Sequence, residues 1–189
     1  MNRKCLQKFQ IKDVVFLAIM SAVALATCAV MPLVISLQPL IFGISQLVTA
    51  LQIGVFFAIG LYKVRKPGSL LLMALMMGLI QLMMSPPMFL SSVLNGVLIE
   101  LIVLLLFRGY EKDSAVFCAA MLHTPLSLPF NYLYNRLIKG ADSPLAAVAD
   151  RAPLAAVGMT LAVIAVSALG ALIGIKIARE LKKSGVLKK

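Results

Sequence analysis

Gln46 and Thr49 stand three residues apart in an otherwise apolar run, as do Thr49 and Gln52, so each pair shares one face of a helix. Further along, Gln81, Asn95 and Asn131 lie in similar runs, followed closely by Tyr132 and Asn135. His123 is the only histidine. Amides, hydroxyls and one imidazole bind an uncharged solute by donating and accepting hydrogen bonds. They do not assemble a hydrolytic centre: there is no His-Glu-x-x-His, no Gly-x-Ser-x-Gly and no Walker loop. Histidine pairs and histidine-rich metal sites are excluded, and Cys5, Cys28 and Cys118 have no metal-ligand spacing. The site these residues imply binds rather than reacts, so the chain is read as a non-enzyme without a cofactor of its own.

The elements that carry them follow from composition. Of 189 residues, 61% are hydrophobic and only 13% charged, with a mean hydropathy of +1.00. A soluble domain is about half apolar and a quarter charged, so the expectation is an all-α, polytopic protein whose solvent is a lipid bilayer. A spanning helix needs about 20 mostly apolar residues. Six segments qualify, at approximately 14–36, 40–62, 69–85, 88–107, 114–138 and 153–176, with a basic tail at 177–189. The first is longer than a secretory signal core and is read as an uncleaved span. Pro125 and Pro129 are expected to kink the fifth or break it near its far end.

The net charge of +11 does not point to nucleic acid, because the basic residues form short clusters between apolar runs. They set orientation instead. With six spans, fifteen Lys and Arg fall on one side, against Arg136, Lys139 and Arg151 on the other. By the positive-inside rule both termini are cytoplasmic. Gln46, Thr49, Gln81, Asn95, Asn131, Tyr132 and Asn135 then collect toward the outer leaflet, with His123 nearer mid-membrane. Polar groups inside spans are expensive unless they face a partner, water or ligand. As a set they predict a substrate pocket opening outward; singly, each could instead bond a neighbouring helix. The uncharged segments ISLQPLIFG and MMSPPMF lie on the same side and could cover it. Glu100 is the one carboxylate deep in a span, either paired with a hydroxyl or amide near the cytoplasmic end of span four or, in an alternative reading, the coupling group of a stand-alone secondary transporter or channel.

Ala18, Ala22 and Ala26 recur every four residues in FLAIMSAVALATCAV, a smooth stripe on one side of the first helix. With six spans, a basic N-terminus and a length near 190 residues, this stripe resembles the S components of energy-coupling factor (ECF) importers. KVRKPGSLL, at the start of span three, resembles the thiamine-precursor and MptD-like groups of that family. The resemblance implies a subunit that captures a vitamin or similar micronutrient. It further implies that Ala18, Ala22 and Ala26 dock on a coupling transmembrane subunit served by two ATPases, which use the ATP. A thiamine precursor fits the amide-rich lining, as does a tetrapyrrole, since His123, Met or Tyr can ligate haem iron. Haem would then be cargo rather than cofactor.

Overall fold

Helix ends fall where the backbone chemistry of the sequence changes. In a computed structural model, which describes residues 8–28, 33–34, 36–37, 40–83, 85–140 and 143–185, seven helices are described. They are α1 (Ile11–Thr27), α2 (Ile44–Val64), α3 (Ser69–Leu82), α4 (Pro86–Phe107), α5 (Asp113–Ile138), α6 (Pro144–Arg151) and α7 (Pro153–Lys183). Pro86, Pro144 and Pro153 each open a helix, where the missing N–H is one that no helical carbonyl would have received. Arg65 and Arg108 close α2 and α4 in the left-handed region, at φ 47° and 60°. Each returns its N–H to a carbonyl of the preceding turn, Leu61 and Leu104.

The helix bounds correct one expectation and refine two others. The first helix stops at Thr27 rather than running to residue 36. Cys28 closes it with an N–H bond of 3.0 Å to the Leu25 carbonyl, and residues 29–32 lie outside the described ones. α7 remains helical through Lys183, so the basic segment from residue 177 starts as a continuation of that helix. At 31 residues and about 1.5 Å per residue, α7 is longer than a bilayer's hydrocarbon core. Of the expected kink or break in α5, the break does not occur: the helix runs unbroken through Pro125 and Pro129. Pro125 deprives the Met121 carbonyl of its helical donor. The Ser167 hydroxyl of α7 donates to that oxygen at 2.7 Å, so a neighbouring helix restores the bond.

α2 is the central element, packing against α1, α3, α5 and α7, with α7 its most extensive partner; α3 with α4, and α4 with α5, complete the bundle. The α2–α7 crossing is a backbone contact. A Cβ on Gly170 would lie 2.5 Å from the Leu51 carbonyl oxygen, and one on Gly174 2.5 Å from that of Val55. Without a hydrophobic drive between helices in lipid, such close approach supplies the attraction.

The two ends of the bundle differ. At the end holding the α2–α3 and α4–α5 turns, Leu17, Phe57, Leu61, Leu70, Met73 and Val103 pack with Tyr110 into a solid core. Charge binds the same end together. Lys66 pairs with Asp13 at 2.7 Å, and Asp113 is held by Arg65 and, at 2.6 Å, by Arg179. Asp113 precedes the apolar run of α5. Burial alone would raise its carboxyl pKa, but hydrogen bonds and charge from Arg179 and Arg65 hold it below the ordinary value of 3.8.

Glu100 belongs to this end. One of its carboxylate oxygens accepts the Gly68 N–H at 2.6 Å and the other the Tyr110 hydroxyl at 2.9 Å. Gly68 caps the N-terminus of α3 at φ 89°, a conformation glycine adopts at no steric cost. The carboxylate thus sits at the positive end of α3. Burial and the Glu100 charge push the Tyr110 hydroxyl above its ordinary value, so it stays protonated and donates.

Candidate functional site

At the opposite end the helices part around a cavity of about 500 Å³. It is bounded by the last turns of α1 and α3, the first turns of α2 and α4, and the part of α5 from His123 to Asn131. None of the described residues lining it is charged.

Six of the eight residues expected to bind a solute line this one cavity: Gln46, Thr49, Gln81, Asn95, His123 and Asn131. They differ in how far their hydrogen bonding is spent. The Ser45 hydroxyl donates to Gln46 Oε1 at 2.8 Å, and the Thr49 hydroxyl donates back to the Ser45 carbonyl at 2.9 Å. These two are tied into α2. Asn95, by contrast, is 1% exposed and its Oδ1 has no partner among the described residues. His123 is 4% exposed, and neither ring nitrogen is bonded among the described residues. Its ring lies against Phe57, with centroids 4.4 Å apart and planes at 44°, which fixes the imidazole without using its nitrogens.

The other two are absent from the cavity lining. The Tyr132 hydroxyl donates to Asp150 Oδ1 at 2.7 Å, and Arg136 pairs with the same carboxylate. Tyr132 therefore ties α5 to α6. Asn135 is buried one turn beyond Asn131. Its Oδ1 accepts from the Ser143 hydroxyl at 3.0 Å and its Nδ2 donates to the Asn131 carbonyl at 2.8 Å. Sequence reasoning missed α6; the signal was Ser-Pro at 143–144, where serine can cap and proline begin a helix.

Sequence reasoning also missed Thr124, which lines the cavity at 3% exposure with an unpartnered hydroxyl. Its signal was adjacency to His123 in an apolar run. Ser91, Ser92 and Ser127 line the cavity as well, but the Ser92 and Ser127 hydroxyls already donate to the Ala74 and Thr124 carbonyls. Met77 and Met88 provide deformable apolar wall. Gln52 and Ser69 have unpartnered oxygens too, but neither is in the lining.

The alanine stripe sits beside this cavity. α1 turns Leu17, Ser21 and Ala24 into the bundle, where the Ser21 hydroxyl lies 3.2 Å from the Met73 carbonyl of α3. Ala22 and Ala26 are exposed and form part of the cavity's rim, while Ala18 is half-buried and outside the lining.

Among the described residues no three His, Cys, Asp or Glu side chains cluster to hold a metal ion. α2, α4 and α7 are each long and apolar enough to cross a membrane. No curated protein sequence matches this chain. A solved structure titled as the crystal structure of an S-component of an ECF transporter superposes with a TM-score of 0.64 at 21% identity, covering 95% of this chain and 89% of that one. At that identity the likeness is one of fold. A family profile described as a hypothetical bacterial integral membrane protein (Trep_Strep) matches residues 11–183, so the chain belongs to that family and is a multi-pass protein of the cell membrane.

Proposed function

We propose that this chain is the substrate-capturing S component of an ATP-driven ECF importer. It crosses the membrane six times with both termini in the cytoplasm, takes a vitamin or similar micronutrient into the cavity from outside, and delivers it inward on a coupling subunit. The observation that carries this reading is the cavity itself. It is walled by five helices of an S-component-like fold and lies at the end away from the basic turns, which the positive-inside rule assigns to the cytoplasm. The chain hydrolyses nothing; two ATPases beneath the coupling subunit supply the energy. Of the two cargo classes that the resemblance and the residue types suggest, a thiamine precursor suits a lining without charged side chains better than a tetrapyrrole with its carboxylates.

Ala18, Ala22 and Ala26 form the docking surface in this proposal. Exposure of Ala22 and Ala26 supports it, since a stripe used inside the bundle would be covered. Because those two also rim the cavity, enlarging them perturbs capture and docking together. Ala18 is the cleaner site. In Ala18→Leu, added bulk at a close helix crossing costs about 1–3 kcal/mol. Co-purification with the coupling subunit and ATP-dependent uptake should fall while solute binding by the isolated protein persists. Normal assembly and uptake in that variant would remove the docking role, and external labelling of a tag on either terminus would overturn the topology. Glu100 favours no secondary-transport reading, because neutral donors engage both its oxygens.

A further inference from the structure

The cavity holds three buried polar side chains whose bonding capacity is unspent, and they are close in chain and in space. His123 and Thr124 are adjacent on α5, Asn95 faces the same cavity from α4, and α4 packs on α5. Unpartnered buried polar atoms are rare in native proteins because each gives up its bonds to water and receives none in return. Three around one cavity mark where a ligand's polar edge belongs.

Their chemistry restricts that edge. Asn95 Oδ1 can only accept, so the ligand must bring an N–H or O–H to it. A neutral imidazole has one donor and one acceptor, and the Thr124 hydroxyl has both. Charge restricts it further. A carboxylate or phosphate buried here would meet no described cation, and a cationic group no described anion. Two charged groups of the flanking helices are already committed elsewhere: Glu100 to Gly68 and Tyr110, and Arg136 to Asp150. An ion buried without a counter-charge loses its hydration and gains nothing to replace it. Gln46, Gln81 and Asn131 add amide dipoles without net charge, and Phe57 holds the imidazole in place.

We propose that the cavity selects a ligand with no net charge, a compact heterocycle bearing amino, amide or hydroxyl groups, whose donor and acceptor edge is read jointly by Asn95, His123 and Thr124. This rests on reading the cavity as a capture site. It goes beyond that reading in fixing the ligand's charge and the three residues that recognise it. A tetrapyrrole carrying two carboxylates is disfavoured on the same ground.

The test uses the purified full-length protein in detergent, stripped of bound small molecules and incubated with the small-molecule fraction of yeast extract. Retained solutes are identified by mass spectrometry after washing. A retained compound that is uncharged at neutral pH supports the proposal if retention falls about tenfold or more in Asn95→Leu and in Thr124→Val. Ser69→Ala is the control. It removes an equally buried, unpartnered hydroxyl outside the cavity and should retain the compound as wild type does. Thr124→Val keeps shape and volume, so its loss of retention reports recognition rather than misfolding. A retained carboxylate, phosphate or cation overturns the proposal, as does retention no greater than that of Asn95→Leu. Added haem whose Soret band shifts in wild type and not in His123→Ala overturns it too. Failure of the importer reading looks different: an uncharged solute is retained, but no coupling subunit co-purifies.

Discussion

The α2–α7 crossing allows stability to be perturbed with one methyl group and checked against a control in the same helix. A Cβ on Gly174 would lie 2.5 Å from the Val55 carbonyl oxygen and 2.7 Å from Ala58 Cβ, whereas one on Gly158 meets nothing within 4 Å. Moving from 2.5 Å to an ordinary contact of 3.4 Å requires α7 to withdraw from α2 by close to an ångström. A gap of 0.5–1 Å forfeits about a quarter to a half of each dispersion contact along the crossing. Overpacking of this kind costs about 1–3 kcal/mol, and the better helix propensity of alanine returns about 1 kcal/mol. Gly174→Ala is therefore expected to lose up to about 2 kcal/mol net, and Gly158→Ala to lose nothing or gain up to about 1 kcal/mol. For a chain of this length each kcal/mol moves Tm by roughly 2–4 °C. The chain has no tryptophan, so thermal unfolding in detergent is best followed by far-ultraviolet circular dichroism. A Gly174→Ala protein that melts at or above the wild-type temperature refutes the reasoning. So does a Gly158→Ala protein that falls equally far.

Two further outcomes are expected. Glu100→Ala should lower thermal stability by about 1–3 kcal/mol, because it leaves the Gly68 N–H and the Tyr110 hydroxyl without their acceptor. It should spare solute retention, since Glu100 is outside the cavity lining; uptake abolished with unchanged melting and assembly would instead make Glu100 a coupling carboxylate. Asp113 has its carboxyl pKa lowered in the folded state, so the stability it contributes is present above its ordinary value of 3.8 and is lost as pH falls through the lowered one. Melting temperatures of wild type and Asp113→Asn across the acid range should converge at low pH, and a difference that stays constant would exclude this linkage.

The positions of most helices were legible in the sequence because lipid imposes a simple rule: long apolar runs must satisfy their backbone internally and therefore become helices. Hence α2 at Ile44–Val64 and α4 at Pro86–Phe107 lie within a few residues of the segments at 40–62 and 88–107. The bonding capacity of Gln46, Asn95 and His123 was legible too, because it belongs to the residue type. Tertiary structure decided which capacity remains unspent. Gln46 takes a bond from the hydroxyl of its sequence neighbour Ser45, a local contact, whereas the packing of α4 against its neighbours leaves Asn95 Oδ1 without a partner among the described residues. Asn131 and Asn135 are four apart on one face of α5. The cavity ends between them, and Asn135 meets Ser143 instead. Where a cavity ends depends on how helices are offset along their axes, and spacing within one helix carries no information about that offset. The same holds for α5, whose continuity through Pro125 rests on a hydroxyl 42 positions away, at Ser167. Sequence determined which groups each helix offers; the packing of α2 against α5 and α7 decided which of them meet.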